Sequence, residues 1–122
     1  MLSKLIIKNV ALIENAEIEF TDGLNVMSGE TGSGKSVILE AINFVLGAKA
    51  DKNLIRTGET ECSVFAEFDV GDSSAVSEIL AEFDIESEDT LIVSRKLTVT
   101  GKNSIRINGV SATVAMVKKL TL

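Results

Sequence analysis

The chain has no histidine, glutamine, proline, tryptophan or tyrosine, and its one cysteine is Cys62. Without histidine there is no imidazole for acid–base catalysis or metal ligation. With a lone thiol, a zinc site would have to be almost entirely carboxylate, so structural and catalytic zinc are set aside. No intrachain disulfide can form, which points to the cytosol. Cys62 reads as a small buried hydrophobe in a strand rather than a reactive thiol. No apolar run approaches the roughly 18 residues of a membrane span. The opening MLSKLIIKNVALIEN turns polar early and lacks a small-residue cleavage site, so it reads as a strand and not a signal peptide. A net charge of −6 argues against a general nucleic-acid binder, while leaving room for a local basic patch.

What is present is an ordinary globular balance, 45% apolar and 25% charged over 122 residues, enough for one core. Leu2 to Val10 is rich in Leu, Ile and Val and predicts a strand. In AEIEF, Ala16, Ile18 and Phe20 alternate with Glu17 and Glu19, a half-buried strand with one wet face. Thr21-Asp22-Gly23 signals a turn, and Leu24 to Met27 a third short strand. From Lys35 the period becomes helical, with Val37, Ile38, Ala41, Ile42, Val45 and Leu46 on one stripe and Gly47 as the stop. A polar loop follows, then a strand over Cys62 to Val70 and a short helix from Ser73 to Phe83, capped by Ser73 or Ser74. Leu91 to Thr98 and Ser104 to Asn108 predict a hairpin, Asn108-Gly109 a turn, and Ser111 the opening of a last amphipathic helix.

Between the third strand and the first helix lies Gly29-Glu30-Thr31-Gly32-Ser33-Gly34-Lys35-Ser36, which fits G-x-x-x-x-G-K-[ST] at every fixed position. Four such positions coincide by chance in roughly one of a few hundred chains this long. A triphosphate must lie against the backbone, and Gly29, Gly32 and Gly34 give the clearance and conformations this needs. Successive N–H groups form an anion-binding concavity at the positive end of the helix. Lys35 reaches the β- and γ-phosphates, and the Ser36 hydroxyl is a hard oxygen ligand for Mg2+. ATP with Mg2+ is the expected cofactor.

The first half, LSKLIIKNVALIENAEIEFTDGLNVMSGETGSGKSVILEAINFVLGAKADKNLIRTGE, resembles the N-terminal part of an SMC-like ATPase head. There a strand ending in Lys-Asn, an acidic strand and a Gly-Leu-Asn turn precede the phosphate loop. VMSGETGSGKSVILEAINFVLGAKAD and GKNSIRINGV are most similar to the RecN family of bacterial DNA double-strand-break repair ATPases. The resemblance implies an α/β P-loop ATPase of the ABC/SMC type, with a mixed sheet around the phosphate loop and its helix. It also implies a second head as partner in an ATP sandwich, DNA as a further partner, no membrane association, and a cytoplasmic, nucleoid-associated protein. Arg56, in NLIRTGE, matches the place where such heads put an arginine that can approach the phosphates. A solvated loop arginine is the plain alternative.

Other parts of the family pattern are missing. A chain without glutamine has no Q-loop glutamine, and one without histidine has no switch histidine. No apolar run ends in Asp-Glu (Glu88-Asp89 has the wrong order), and no Ser-Gly-Gly signature occurs. No basic residue follows Lys8-Asn9, where family heads often contact phosphate. Residues 1–122 are therefore expected to be the N-terminal lobe of such a head, cut before the Q-loop and coiled coil and inactive alone. The alternatives are a lobe of another SMC-like or RecF-like DNA-maintenance ATPase, or a non-catalytic interaction module that keeps the fold. The basic residues Arg95, Lys96, Lys102 and Arg106 on the hairpin suggest either a DNA-facing edge or ordinary strand decoration. Lys118-Lys119 suits the dipole at a helix end.

Overall fold

The computed structural model describes residues 2–21, 24–25, 33–49, 51–71, 73–86 and 89–120. Strands β1 (Leu2–Val10) and β2 (Ile13–Thr21) form a hairpin, and the two-residue β3 (Leu24–Asn25) adds to the free edge of β2. Helix α1 (Ser33–Val45) follows, then a single 3-10 turn at Lys52–Leu54. β4 (Glu61–Asp69) returns alongside β1, so the excursion between them carries α1 onto one face of the sheet. Helix α2 (Ser74–Glu82) leads to β5 (Thr90–Thr98), β6 (Asn103–Ile107), the short β7 (Val110–Ala112) and helix α3 (Val114–Leu120).

The strands lie in the order β3-β2-β1-β4-β5-β6-β7, and every pairing among the described residues is antiparallel. The α/β layering expected from the sequence is present, but the described sheet does not mix strand directions. Turns at Ala11-Leu12, at residues 99–102 and at Asn108-Gly109 each fold the chain straight back on itself and make those three pairings antiparallel, while β1–β4 and β4–β5 are antiparallel through longer connections.

Period-two alternation sets the two faces. On β4, Cys62, Val64 and Ala66 are buried while Ser63, Phe65 and Glu67 are only partly covered. Register aligns those buried positions with Leu97, Arg95 and Val93 on β5, and Ile7 and Leu5 of β1 complete the rows. Helix α1 lays Val37, Ile38, Ala41, Phe44 and Val45 on this inner face. Withdrawing each large side chain among them from water contributes about 1.5–3 kcal/mol. Phe44 was not part of the stripe read from the sequence, yet it is 2% exposed, whereas Ile42 and Leu46 are only partly covered.

One helix start differs from the sequence reading. Ser111 does not open the last helix: it lies in β7, opposite Arg106, and Thr113 is the cap, its hydroxyl accepting from Met116 N–H at 3.2 Å. At α2 the cap is Ser73, whose Oγ accepts from Val76 N–H at 3.3 Å.

Helix α1 stops as its sequence dictates. Gly47 takes φ +110°, its N–H donates to Phe44 O at 3.2 Å, and Ala48 N–H donates to Asn43 O at 2.9 Å. This is the paired hydrogen bonding of a Schellman end. A Cβ on Gly47 would stand 3.0 Å from Lys118 Cγ on α3. Gly47→Ala therefore combines backbone strain with crowding. We expect it to lower stability by about 1–2 kcal/mol, read as a lower urea midpoint at an unchanged m-value.

Candidate nucleotide-binding site

The phosphate-loop sequence leaves the sheet at its β3 edge and re-enters described structure at the first turn of α1. Residues 26–32, and with them Gly29, Glu30, Thr31 and Gly32, lie outside the described residues. Ser33, Gly34, Lys35 and Ser36 form the opening of α1 by their backbone course. The first helical turn has four N–H groups without intrahelical acceptors and carries the positive end of the dipole. No acidic residue sits in that turn, so no side-chain anion competes there.

The other end of the helix is held by a residue that the sequence reading placed elsewhere. Arg95 is 2% exposed and points inward, between Val64 on β4 and Ile105 on β6. Its Nη1 donates to Phe44 O at 2.7 Å and to Ala48 O at 2.5 Å, and its Nε donates to Asn103 Oδ1 at 3.0 Å. The guanidinium also stacks over the Phe44 ring, 4.4 Å from the centroid. A cation thus sits where the negative end of the α1 dipole and its last carbonyls need one. Burial lowers the Arg95 pKa, and Cys62 beside it opposes that shift. Burial in turn pushes the Cys62 thiol up, against the Leu97 backbone hydrogen bond and the Arg95 charge, with Glu61 adding to the rise. The thiol is 1% exposed, a packing group as its sequence context suggested.

Arg95 therefore cannot belong to a DNA-facing edge. Of its three companions, Lys96 pairs with Glu61 at 3.1 Å, Arg106 donates through Nη1 to Gly109 O at 3.1 Å, and Lys102 is exposed at the hairpin tip. Lys119 also has a partner beyond the helix dipole, Glu82 at 2.7 Å.

Arg56 is half-buried against the β1–β2 turn. Its N–H donates to Asn9 O at 2.8 Å and its Nη1 to Leu12 O at 2.9 Å, while Val10 and Ile55 form an antiparallel bridge. Ala11 N–H donates to Leu54 O at 2.8 Å, so the turn and the loop of residues 51–60 make one unit. The turn is strained at its base: Asn9 and Ala11 take φ of +56° and +50°. Leu12, between them and β2, is 76% exposed.

The profile of the AAA domain family matches residues 4–120. The DNA repair protein RecN of Bacillus subtilis is 36% identical over 121 residues, covering 98% of this chain and 21% of that protein. The chain thus spans about a fifth of the length of the curated relatives it matches. Among solved structures, an SMC ATPase described for ATP-driven dimerization and DNA-stimulated activation superposes with a TM-score of 0.78. It is 25% identical and covers 98% of this chain and 76% of that one. The recombination mediator RecF superposes with a TM-score of 0.72 at 19% identity, covering 96% of this chain and 29% of that one, a likeness of fold alone. From β1 to α3, the chain belongs to the AAA domain family, with the fold of an SMC-type ATPase head and a sequence similar to the N-terminal part of RecN.

Proposed function

We propose that this chain is the ATP-binding part of a RecN-type DNA-repair ATPase, the N-terminal lobe of its head. The observation that carries the reading is the phosphate-loop pattern at Gly29–Ser36 running into the N-terminus of a helix that is fixed at both its face and its far end. A helix anchored in this way keeps its N-terminal N–H groups aimed at one place, as a triphosphate site requires. Gly29, Gly32 and Gly34 let the backbone close on the phosphates. Lys35 supplies the cation, and Glu30, Thr31 and Ser33 contribute main-chain donors. Ser36 offers one hard oxygen to Mg2+, which fits an ion that takes its other ligands from phosphate and water. Mg2+ supplies neutralisation of the phosphate charge. Arg56, beside the β1–β2 turn, would approach the phosphates once it exchanged its hydrogen bond to Leu12 for one to the ligand.

Hydrolysis then depends on groups that this sequence does not carry. It has no glutamine, no histidine and no Asp-Glu after an apolar run, so the attacking water and the metal would be completed by a C-terminal lobe and a partner head. The intact protein would act on DNA in the cytoplasm, associated with the nucleoid. Among the described residues no helix is long and apolar enough to cross a membrane.

Phosphate release by the purified chain should not exceed the protein-free blank, while the intact head should turn over ATP. Steady-state hydrolysis by the 122-residue chain that Lys35→Ala abolishes would contradict this division of labour.

A further inference from the structure

We propose that Asn9 is a positioning residue for Arg56: it fixes the main chain from which the guanidinium reaches the nucleotide phosphates, and it holds the Glu59 carboxylate off that guanidinium. The proposal rests on the reading above, in which Arg56 approaches the phosphates, and adds what places it there.

Strand β1 changes partner at Asn9. Up to Lys8, which stands opposite Ser63, it pairs with β4, whereas Val10 bridges Ile55 instead. Its pairing with β2 runs past both positions without a shift of register. Between them Asn9 takes φ +56°, a left-handed conformation that asparagine adopts more readily than most residues. Its carbonyl thereby meets the incoming loop, and Arg56 N–H donates to Asn9 O at 2.8 Å.

The carbonyl side of Arg56 is tied as well. Glu59 N–H donates to Arg56 O at 3.0 Å, closing a turn over residues 56–59, and Asn9 Nδ2 donates to Glu59 Oε1 at 3.4 Å. Asn9 thus touches both ends of that turn, one with its backbone and one with its amide. The two contacts differ in kind. The first is short and sets where the Arg56 side chain leaves the main chain. The second is long and exposed, too weak to matter to the fold, but it engages the acid three residues from Arg56. Among the described residues Arg56 has no ion pair, and its Nη1 donates to the exposed carbonyl of Leu12 at 2.9 Å. A guanidinium resting on a neutral carbonyl exchanges readily to a phosphate, whereas one paired with a carboxylate of its own turn would not.

Substitutions at position 9 separate the two contacts. Glycine keeps the left-handed backbone and removes the amide. Aspartate keeps the backbone and sets a second carboxylate against Glu59. Alanine strains the backbone and removes the amide as well.

The test has one arm without nucleotide and one with it. In the nucleotide-free chain, amide hydrogen exchange at Arg56 should speed up about tenfold or more in Asn9→Ala, and clearly less in Asn9→Gly. A fluorescent ATP analogue should bind about tenfold more weakly to Arg56→Ala, and about three- to tenfold more weakly to Asn9→Gly and Asn9→Asp. The Asn9→Gly/Glu59→Gln chain should recover to within about twofold of the parent, because the competing carboxylate is gone. The Asn9→Gly/Arg56→Ala chain should bind no worse than Arg56→Ala, since residues that act through one contact do not add. Additive losses, no recovery with Glu59→Gln, parent-like binding by Asn9→Gly, or parent-like exchange in Asn9→Ala would each overturn the proposal. Parent-like binding by Arg56→Ala alongside weak binding by Lys35→Ala would overturn it while sparing the phosphate-loop reading. Parent-like binding by Lys35→Ala as well would take that reading down with it.

Discussion

An Arg95→Ala chain is expected to melt about 10 °C or more below the parent, because Arg95 is the buried charge among the described residues. Three things go at once. The carbonyl of Ala48 and that of Phe44 lose a charged donor, Asn103 loses its partner on β5, and the Phe44 ring loses the cation stacked over it. Removing a charged donor from buried acceptors costs about 1–3 kcal/mol, and the space left between Val64 and Ile105 adds a cavity term. A total near 3 kcal/mol is reasonable. Arg95→Met should lose less, because it refills the space and leaves only the acceptors unpaired. Arg95→Lys should fall between, since a point charge cannot reproduce a planar fork that serves α1 and β6 together. Thermal denaturation of the three variants checks the order. Arg95→Ala melting within about 2 °C of the parent would remove the basis for calling α1 anchored at its far end.

Replacing Lys35 with alanine is expected to weaken ATP binding by about 10- to 100-fold while leaving the melting temperature nearly unchanged. The size follows from losing one charged hydrogen bond to phosphate, about 1.5–3 kcal/mol. The neutrality toward stability follows from position. Lys35 lies in the first turn of α1, two residues before the buried stripe that begins at Val37 and Ile38. A lysine in a first turn is slightly unfavourable to the helix dipole. Equilibrium titration of a fluorescent ATP analogue, paired with a melt of each chain, separates the two effects. Equal affinity in both chains would mean that the cradle works without its cation or that the analogue binds elsewhere.

Much of this organisation can be read directly from residue order. Alternation along β1, β4 and β5 sets the inner face, and the Gly47 stop and the Ser73 cap stand where their chemistry puts them. Arg95 had a signal as well. Leu91, Val93 and Leu97 fix the inward parity of β5, and position 95 shares it although its charge argues for the outside. At Asn108-Gly109 a hairpin turn requires a returning strand and so places Ser111 in β7 rather than at a helix start. Strand direction is less legible, because alternation looks alike in parallel and antiparallel sheets, and the long connections from β1 to β4 and from β4 to β5 leave it open. The partners of Arg56 had no sequence signal: its hydrogen bond to Leu12 joins residues 44 positions apart.

The central claim is that the chain cradles a triphosphate and does no more with it. Its most direct test is a titration of the chain with fluorescent analogues of ATP and AMP in the presence of Mg2+, with released phosphate measured on the same samples. The account predicts saturable one-to-one binding of the ATP analogue, no saturable binding of the AMP analogue, and no phosphate release. No saturable binding of the ATP analogue, or equal binding of the two, would contradict it.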